Sequence, residues 1–153
     1  MDKNFYITTP IYYPSAKPHM GHAYSSIVAD FFARFKIIDN YKVYFLTGTD
    51  EHGLKIQRSA ERAGETPQKF CDQISKTFRD LSDTLNLCNT DFIRTTEDRH
   101  KKTVQYLWSE LEKNDDIYLS NYSGWYSVSD EAFYNEDEIE EIDGIKIATS
   151  SKS

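Results

Sequence analysis

The spacing of apolar residues changes several times along the chain, and each change marks an element. Phe5, Tyr6 and Ile7 run into Thr8 and Thr9 before Pro10, which predicts a buried strand over 5–9. Residues 11–18 contain Pro14 and Pro18 and predict an ordered, non-helical loop. From Gly21 the spacing becomes helical. Tyr24, Ile27, Val28, Phe31, Phe32, Phe35 and Ile38 recur at three- and four-residue steps and predict one buried face, with Asn40 as the stop. Val43 to Thr47 is a second short apolar run, bounded by Gly48.

Strand, loop, helix and strand in that order form a βαβ unit, the building block of parallel sheets. A helix follows over 54–63, stopped by Gly64. Thr66-Pro67 is a helix start, a hydroxyl cap followed by proline at the first position. Phe70, Ile74, Phe78, Leu81 and Leu85 then mark its apolar face, and a further helix over 97–113 turns Val104, Leu107, Trp108 and Leu111 inward. Beyond it the pattern shortens. Residues 117–119, 125–128, 132–134 and 145–148 predict short antiparallel strands. The fold class is therefore α/β, a Rossmann-like parallel sheet over 1–116, joined to a small mostly-β inserted module over 117–153.

Composition narrows the class without naming a function. The 153 residues are 39% hydrophobic and 28% charged, the balance of a globular protein, and provide one compact domain rather than two. No run approaches the length of a membrane span, and the first residues carry no basic-then-apolar signal, so a cytoplasmic location is expected. Cys71 and Cys88 are too few for a disulfide framework and belong to no Cys-x-x-Cys pair. The net charge of −7 is concentrated. Residues 130–143 hold eight acids and no Lys or Arg, leaving 17 of the 25 acids against 18 bases elsewhere. That balance forms no basic stripe for a nucleic-acid backbone.

The candidate chemistry lies where the first helix begins, in Pro18-His19-Met20-Gly21-His22. A helix start after a strand sits at the C-terminal edge of a parallel sheet, the usual ligand crevice. It offers free N–H groups to an anion, and His19 and His22 add donors beside them. Gly21 leaves room for a flat ring or a phosphate to approach the backbone. The set suits a nucleoside triphosphate and the charge that builds at its α-phosphate. A metal site is the alternative reading of two histidines, although a zinc site needs more donors than these. The second candidate is Gly48-Thr49-Asp50-Glu51-His52-Gly53, at the end of the second strand. Asp50 there is suited to a cationic amino group, or the segment is simply a capped turn.

Together these segments resemble a known family. Ile7-Thr8-Thr9-Pro10-Ile11-Tyr12-Tyr13-Pro14, Lys17-Pro18-His19-Met20-Gly21-His22-Ala23-Tyr24 and Phe45-Leu46-Thr47-Gly48-Thr49-Asp50-Glu51-His52-Gly53 are similar to the opening of bacterial methionyl-tRNA synthetases, with Asp30 to Phe35 between them. The His-x-Gly-His tetrad alone would indicate class I synthetases and related nucleotidyltransferases. The tyrosines and the Gly48–Gly53 segment point to methionine. The resemblance implies ATP with Mg²⁺, methionine and tRNA as substrates. It implies that His19 and His22 contact the ATP phosphates, that adenine lies against Gly21, and that Asp50 pairs with the methionine ammonium. Ile11 and Tyr13 would help form the methionine pocket.

Two departures from the family pattern shape the expectations. Where many members carry Cys-x-x-Cys pairs in the inserted module, this chain has Ser127, Ser129 and Asp130, so no bound zinc is expected. The family's Lys-Met-Ser-Lys-Ser loop and helical anticodon-binding domain are not in the 153 residues, and Ser150-Ser151-Lys152-Ser153 does not replace that loop. The chain alone is therefore expected to be inactive, with tRNA contacted mainly through regions outside it. Rival readings are a small adenylyl- or cytidylyltransferase, a non-catalytic RNA- or partner-binding module, and a class I synthetase for another amino acid. The oligomeric state is not legible.

Overall fold

The computed structural model describes residues 3–151. A parallel three-stranded sheet forms the centre of the first part, with strands β1 (Asn4–Thr8), β2 (Lys42–Thr49) and β3 (Asp91–Arg94) in the order β1-β2-β3. Helix α1 (Met20–Ile38) connects β1 to β2, and helices α2 (Leu54–Ala63) and α3 (Pro67–Thr84) connect β2 to β3. Helix α4 (Asp98–Lys113) follows β3. Two antiparallel pairs come next, β4 (Trp125–Ser127) with β5 (Ala132–Tyr134) and β6 (Ile139–Ile142) with β7 (Ile145–Ala148). The chain divides into two compact units between Leu107 and Trp108. The α/β class with a Rossmann-like parallel sheet is the one the apolar pattern predicts.

Register explains the packing. Ile7 pairs with Phe45, and Thr47 with Phe92. Alternation along each strand puts these residues on one face of the sheet. On that face Ala29 and Ala33 of α1 cover Phe45, with Ile7 and Val43 beside them. Phe78 of α3 packs with Phe92 and Tyr12, supported by Ile74. The opposite face carries the partners Tyr6 and Tyr44, both exposed. β1 is thus covered on one side only, which corrects the expectation of a buried strand.

The helix starts and stops follow local chemistry. Thr66 caps α3 by accepting from the Lys69 N–H, with Pro67 in the first turn. Gly64 closes α2 in the left-handed conformation at φ 68°. Two faces turn out differently from the pattern. The buried residues of α1 are Ala23, Ser26, Ala29 and Ala33, while Phe31 is 64% exposed and Ile38 80%. The sheet lies close enough that only alanine- and serine-sized residues fit the seam, so the large apolar stripe faces away from it. On α4 no residue is buried, and Val104, Leu107 and Trp108 are exposed rather than inward. Residues 117–119 form no strand. β3 and β6 were not predicted: the first has four residues led by an aspartate, and the second is half acidic.

Candidate active site

The three parallel strands end at Thr8, Thr49 and Arg94, and α1 begins at Met20 on the same edge. The chain between β1 and α1 does not leave that edge. The Thr9 N–H donates to the Leu46 carbonyl at 3.1 Å, and the Tyr12 N–H donates to the Gly48 carbonyl at 2.9 Å. The Asp50 N–H returns a bond to the Tyr12 carbonyl at 2.9 Å, so Tyr12 and Thr49 form an isolated parallel bridge. This extends β1 past Pro10 and fixes Tyr12 beside the second candidate segment. Extended backbone alternates its side chains. Tyr12 and Pro14 are therefore buried, whereas Ile11 and Tyr13 are exposed, with the Lys55 Nζ 5.9 Å from the Tyr13 ring centre.

His19 is the N-cap of α1 in extended conformation, and its Nδ1 accepts the Gly21 N–H at 3.1 Å. The His19 N–H in turn donates to Nδ1 of His22 at 3.1 Å. This is a capping box built from two imidazoles in place of the usual hydroxyl and carboxylate. Both Nδ1 atoms act as acceptors, so in the neutral rings the protons sit on Nε2. Each Nε2–H is left outside the cap. The ring centres are 3.9 Å apart. Burial pushes the His22 pKa below the ordinary histidine value, and the neighbouring His19 lowers it further. A neutral His22 keeps the Nδ1 lone pair that the cap requires. A Cβ on Gly21 would lie 2.9 Å from Cε1 of His19, so only glycine leaves that ring in place.

At the end of β2 the two acids of the second segment have different surroundings. Asp50 is half-buried, with the Thr95 hydroxyl 3.5 Å from its Oδ1. Glu51 is buried and carries a dense set of donors. Arg94 binds it at two points, Nε to Oε1 at 2.7 Å and Nη2 to Oε2 at 3.0 Å. Thr49 donates to Oε1 at 2.9 Å, and the Ser75 and Thr96 hydroxyls also donate to the carboxylate. Burial raises the Glu51 pKa, but the bonds from Arg94, Ser75, Thr96 and Thr49 outweigh it and hold the carboxyl below its ordinary value. Glu51 is therefore saturated by its own neighbours, while Asp50 is the acid of the pair suited to meet a ligand cation. Gly48 permits the close approach of β2 to β3, since a Cβ there would fall 2.0 Å from the Ile93 carbonyl oxygen.

Residues 5–145 match the family model described as tRNA synthetases class I (M). The chain belongs to that family of class I tRNA synthetases. A methionine–tRNA ligase of Listeria monocytogenes is 52% identical over 142 residues, 92% of this chain and 21% of that protein. One from Rickettsia bellii is 52% identical over 139 residues, 91% of this chain and 27% of that protein. Among solved structures, a Mycobacterium tuberculosis methionyl-tRNA synthetase bound by methionyl-adenylate superposes with a TM-score of 0.93 at 45% identity, covering 99% of this chain and 30% of that one. The synthetase chain thus spans about a fifth to a third of the relatives it matches.

In this synthetase chain the structure brings His19, Gly21, His22 and Asp50 to one sheet edge, with Ile11 and Tyr13 on the exposed side of the connecting loop. Sequence reasoning did not single out Tyr12, Glu51, Arg94 or Thr95 as site-building residues. Tyr12 and Glu51 stood within the segments that carried the resemblance. Arg94 and Thr95 had no such signal, because the strand that presents them went unrecognised. In the inserted module, the stretch expected to lack zinc is cross-linked by hydrogen bonds. Asp130 Oδ2 accepts from the Tyr134 hydroxyl at 2.9 Å and from the Ser151 hydroxyl at 2.6 Å. Among the described residues no three His, Cys, Asp or Glu side chains form a group that could hold a metal ion, and no helix is long and apolar enough to cross a membrane.

Proposed function

We propose that this protein is a cytoplasmic methionine–tRNA ligase, activating methionine with ATP and passing the methionyl group to the 3′ end of tRNA. Residues 1–116 are the first part of its catalytic domain, and 117–153 begin a connective insert without zinc. The observation that carries the reading is the pairing of a helix start capped by two imidazoles through Nδ1 with a half-buried carboxylate, Asp50, on the same sheet edge. An anion-binding corner beside a cation-binding group matches a substrate pair of ATP and an amino acid.

In the proposed reaction the methionine carboxylate attacks the α-phosphorus of ATP. A new P–O bond forms, the bond to the β-phosphate bridging oxygen breaks, and pyrophosphate leaves with that electron pair. His19 and His22 donate from Nε2 to phosphate oxygens as negative charge shifts toward the leaving group. Neutral imidazoles perform this without losing the cap that orients them. Gly21 lets adenine lie along the start of α1. Asp50 receives the methionine ammonium, and Ile11 and Tyr13 border the side-chain pocket. Mg²⁺ arrives with ATP and neutralises phosphate charge. Contacts to tRNA lie mainly outside residues 3–151, where the acidic stretch 130–143 disfavours phosphate.

The test is amino-acid-dependent ATP–pyrophosphate exchange by the full-length protein. Methionine should drive exchange far better than isoleucine, valine, leucine or cysteine, and His22→Ala should lower kcat by about 100-fold or more. Exchange without regard to the amino acid, or none with methionine, would remove the reading.

A further inference from the structure

Tyr12 is 7% exposed and touches both halves of the proposed site. Its ring stacks on Phe78, with centres 5.5 Å apart and planes inclined by 20°. The His22 ring stands edge-on to both, 4.9 Å from Tyr12 at 74° and 5.1 Å from Phe78 at 84°. These are favourable aromatic geometries, and the two rings together form a two-sided seat for the imidazole. The Tyr12 hydroxyl lies 3.3 Å from the His22 carbonyl, to which it donates, and 2.9 Å from the Ser26 hydroxyl, one helical turn further along α1. One side chain therefore grips the first turns of α1 through both its ring and its hydroxyl. Its backbone is held at the other site, with its N–H on the Gly48 carbonyl and its carbonyl on the Asp50 N–H.

We infer that Tyr12 is a positioning residue for the His22 imidazole, fixing its aim relative to the strand end that bears Asp50. The inference rests on the proposed adenylate-forming reaction and adds to it a residue that acts without touching substrate. Tyr12 is enclosed by Phe78, His22 and Ser26, while its neighbours Ile11 and Tyr13 take the exposed side of the loop. Its backbone lies one hydrogen bond from Asp50, so a shift of Asp50 on engaging an ammonium group is carried to the ring that seats His22. Burial lowers the His22 pKa, and the Tyr12 and Phe78 rings pack directly against the imidazole.

The experiment uses the full-length protein and three variants, Tyr12→Phe, Ser26→Ala and Tyr12→Leu. Tyr12→Phe removes both bonds of the hydroxyl, Ser26→Ala removes only the one to Ser26, and both variants keep the ring. Each should lower kcat of methionine-dependent pyrophosphate exchange roughly 3–10-fold with methionine KM unchanged, and the double variant should be no worse than Tyr12→Phe alone. Tyr12→Leu removes the seat itself. It should lower kcat on the order of 100-fold and move the NMR titration of the His22 ring upward, toward that of a solvated histidine. His19 and Tyr12 are the titratable groups that face His22. A folded Tyr12→Leu variant with normal kcat and an unmoved His22 titration overturns the inference. So does a loss confined to methionine KM, which would make Tyr12 a pocket residue. If Tyr12→Leu does not fold, additive losses in the two hydroxyl variants, or no loss in either, overturn it instead. If the wild-type protein shows no exchange, the functional reading fails. The His22 titration in Tyr12→Leu then decides the structural part alone.

Discussion

Arg94 closes a two-point ion pair on Glu51, joining the end of β3 to the end of β2 beneath the candidate site. The Glu51 side chain has no solvent exposure, and that of Arg94 has 19%. Removing one partner leaves a buried charge unpaired, which typically costs about 3–5 kcal/mol. Arg94→Ala should therefore lose stability on that scale in urea unfolding. Arg94→Lys should recover little, since an ammonium cannot reproduce the two-point fork.

The same pair predicts a pH dependence. The folded Glu51 carboxyl lies below its ordinary value of 4.5, so its contribution to stability is complete above that pH and is lost as pH falls through the folded pKa. Unfolding free energy measured from pH 6 downward should decline below about pH 4.5. Glu51→Gln should flatten that slope, and an unchanged slope would assign the acid sensitivity to other carboxylates.

Two glycines should respond differently to alanine. At Gly48 the added Cβ meets the backbone of Ile93, which cannot move without parting β2 from β3. Gly48→Ala should cost about 3 kcal/mol or more, or prevent folding, as read by thermal unfolding. At Gly21 the obstacle is the His19 ring, which can rotate away. Gly21→Ala should cost only about 0.5–2 kcal/mol for the lost cap, but should raise KM for ATP in the exchange assay.

These contrasts show which parts of the molecule the sequence discloses. The βαβ order, the Thr66-Pro67 start and the Gly64 stop were legible because each depends on neighbours within a few residues. The site edge was legible for the same reason, since His19 and His22 make their own cap and Asp50 follows directly from its strand. The inward face of α1 was not. Hydrophobicity pointed to Phe31 and Phe35, whereas the seam is filled by Ala29 and Ala33, and the size of a seam is a property of the assembled sheet. Tyr12 was hidden in the same way. Nothing local distinguishes it from Tyr13, and only the bridge to Thr49 decides which ring is buried.

The seam makes its own prediction. Ala33 has no exposure and lies against Phe45, so Ala33→Leu must force α1 off the sheet or displace that ring. Overpacking of this kind costs about 1–3 kcal/mol. Had the large apolar residues of α1 formed the inward face, the change would be nearly neutral, so urea unfolding of Ala33→Leu separates the two orientations.

Asp50 and Glu51 are adjacent acids with separable roles, and charge removal at Asp50 tests the ligand-facing one. The Asp50 side chain bonds only weakly within the described residues, through the distant Thr95 hydroxyl, so Asp50→Asn should leave unfolding nearly unchanged. A hydrogen bond to a charged group contributes about 1.5–3 kcal/mol, so losing the proposed contact to the methionine ammonium should raise methionine KM roughly 10- to 150-fold. KM for ATP should stay close to its original value, because the proposed phosphate donors sit on α1. Steady-state exchange kinetics with each substrate varied in turn measures both. A rise in ATP KM equal to that for methionine would place Asp50 on the nucleotide instead, and a large stability loss would make it a structural acid like its neighbour.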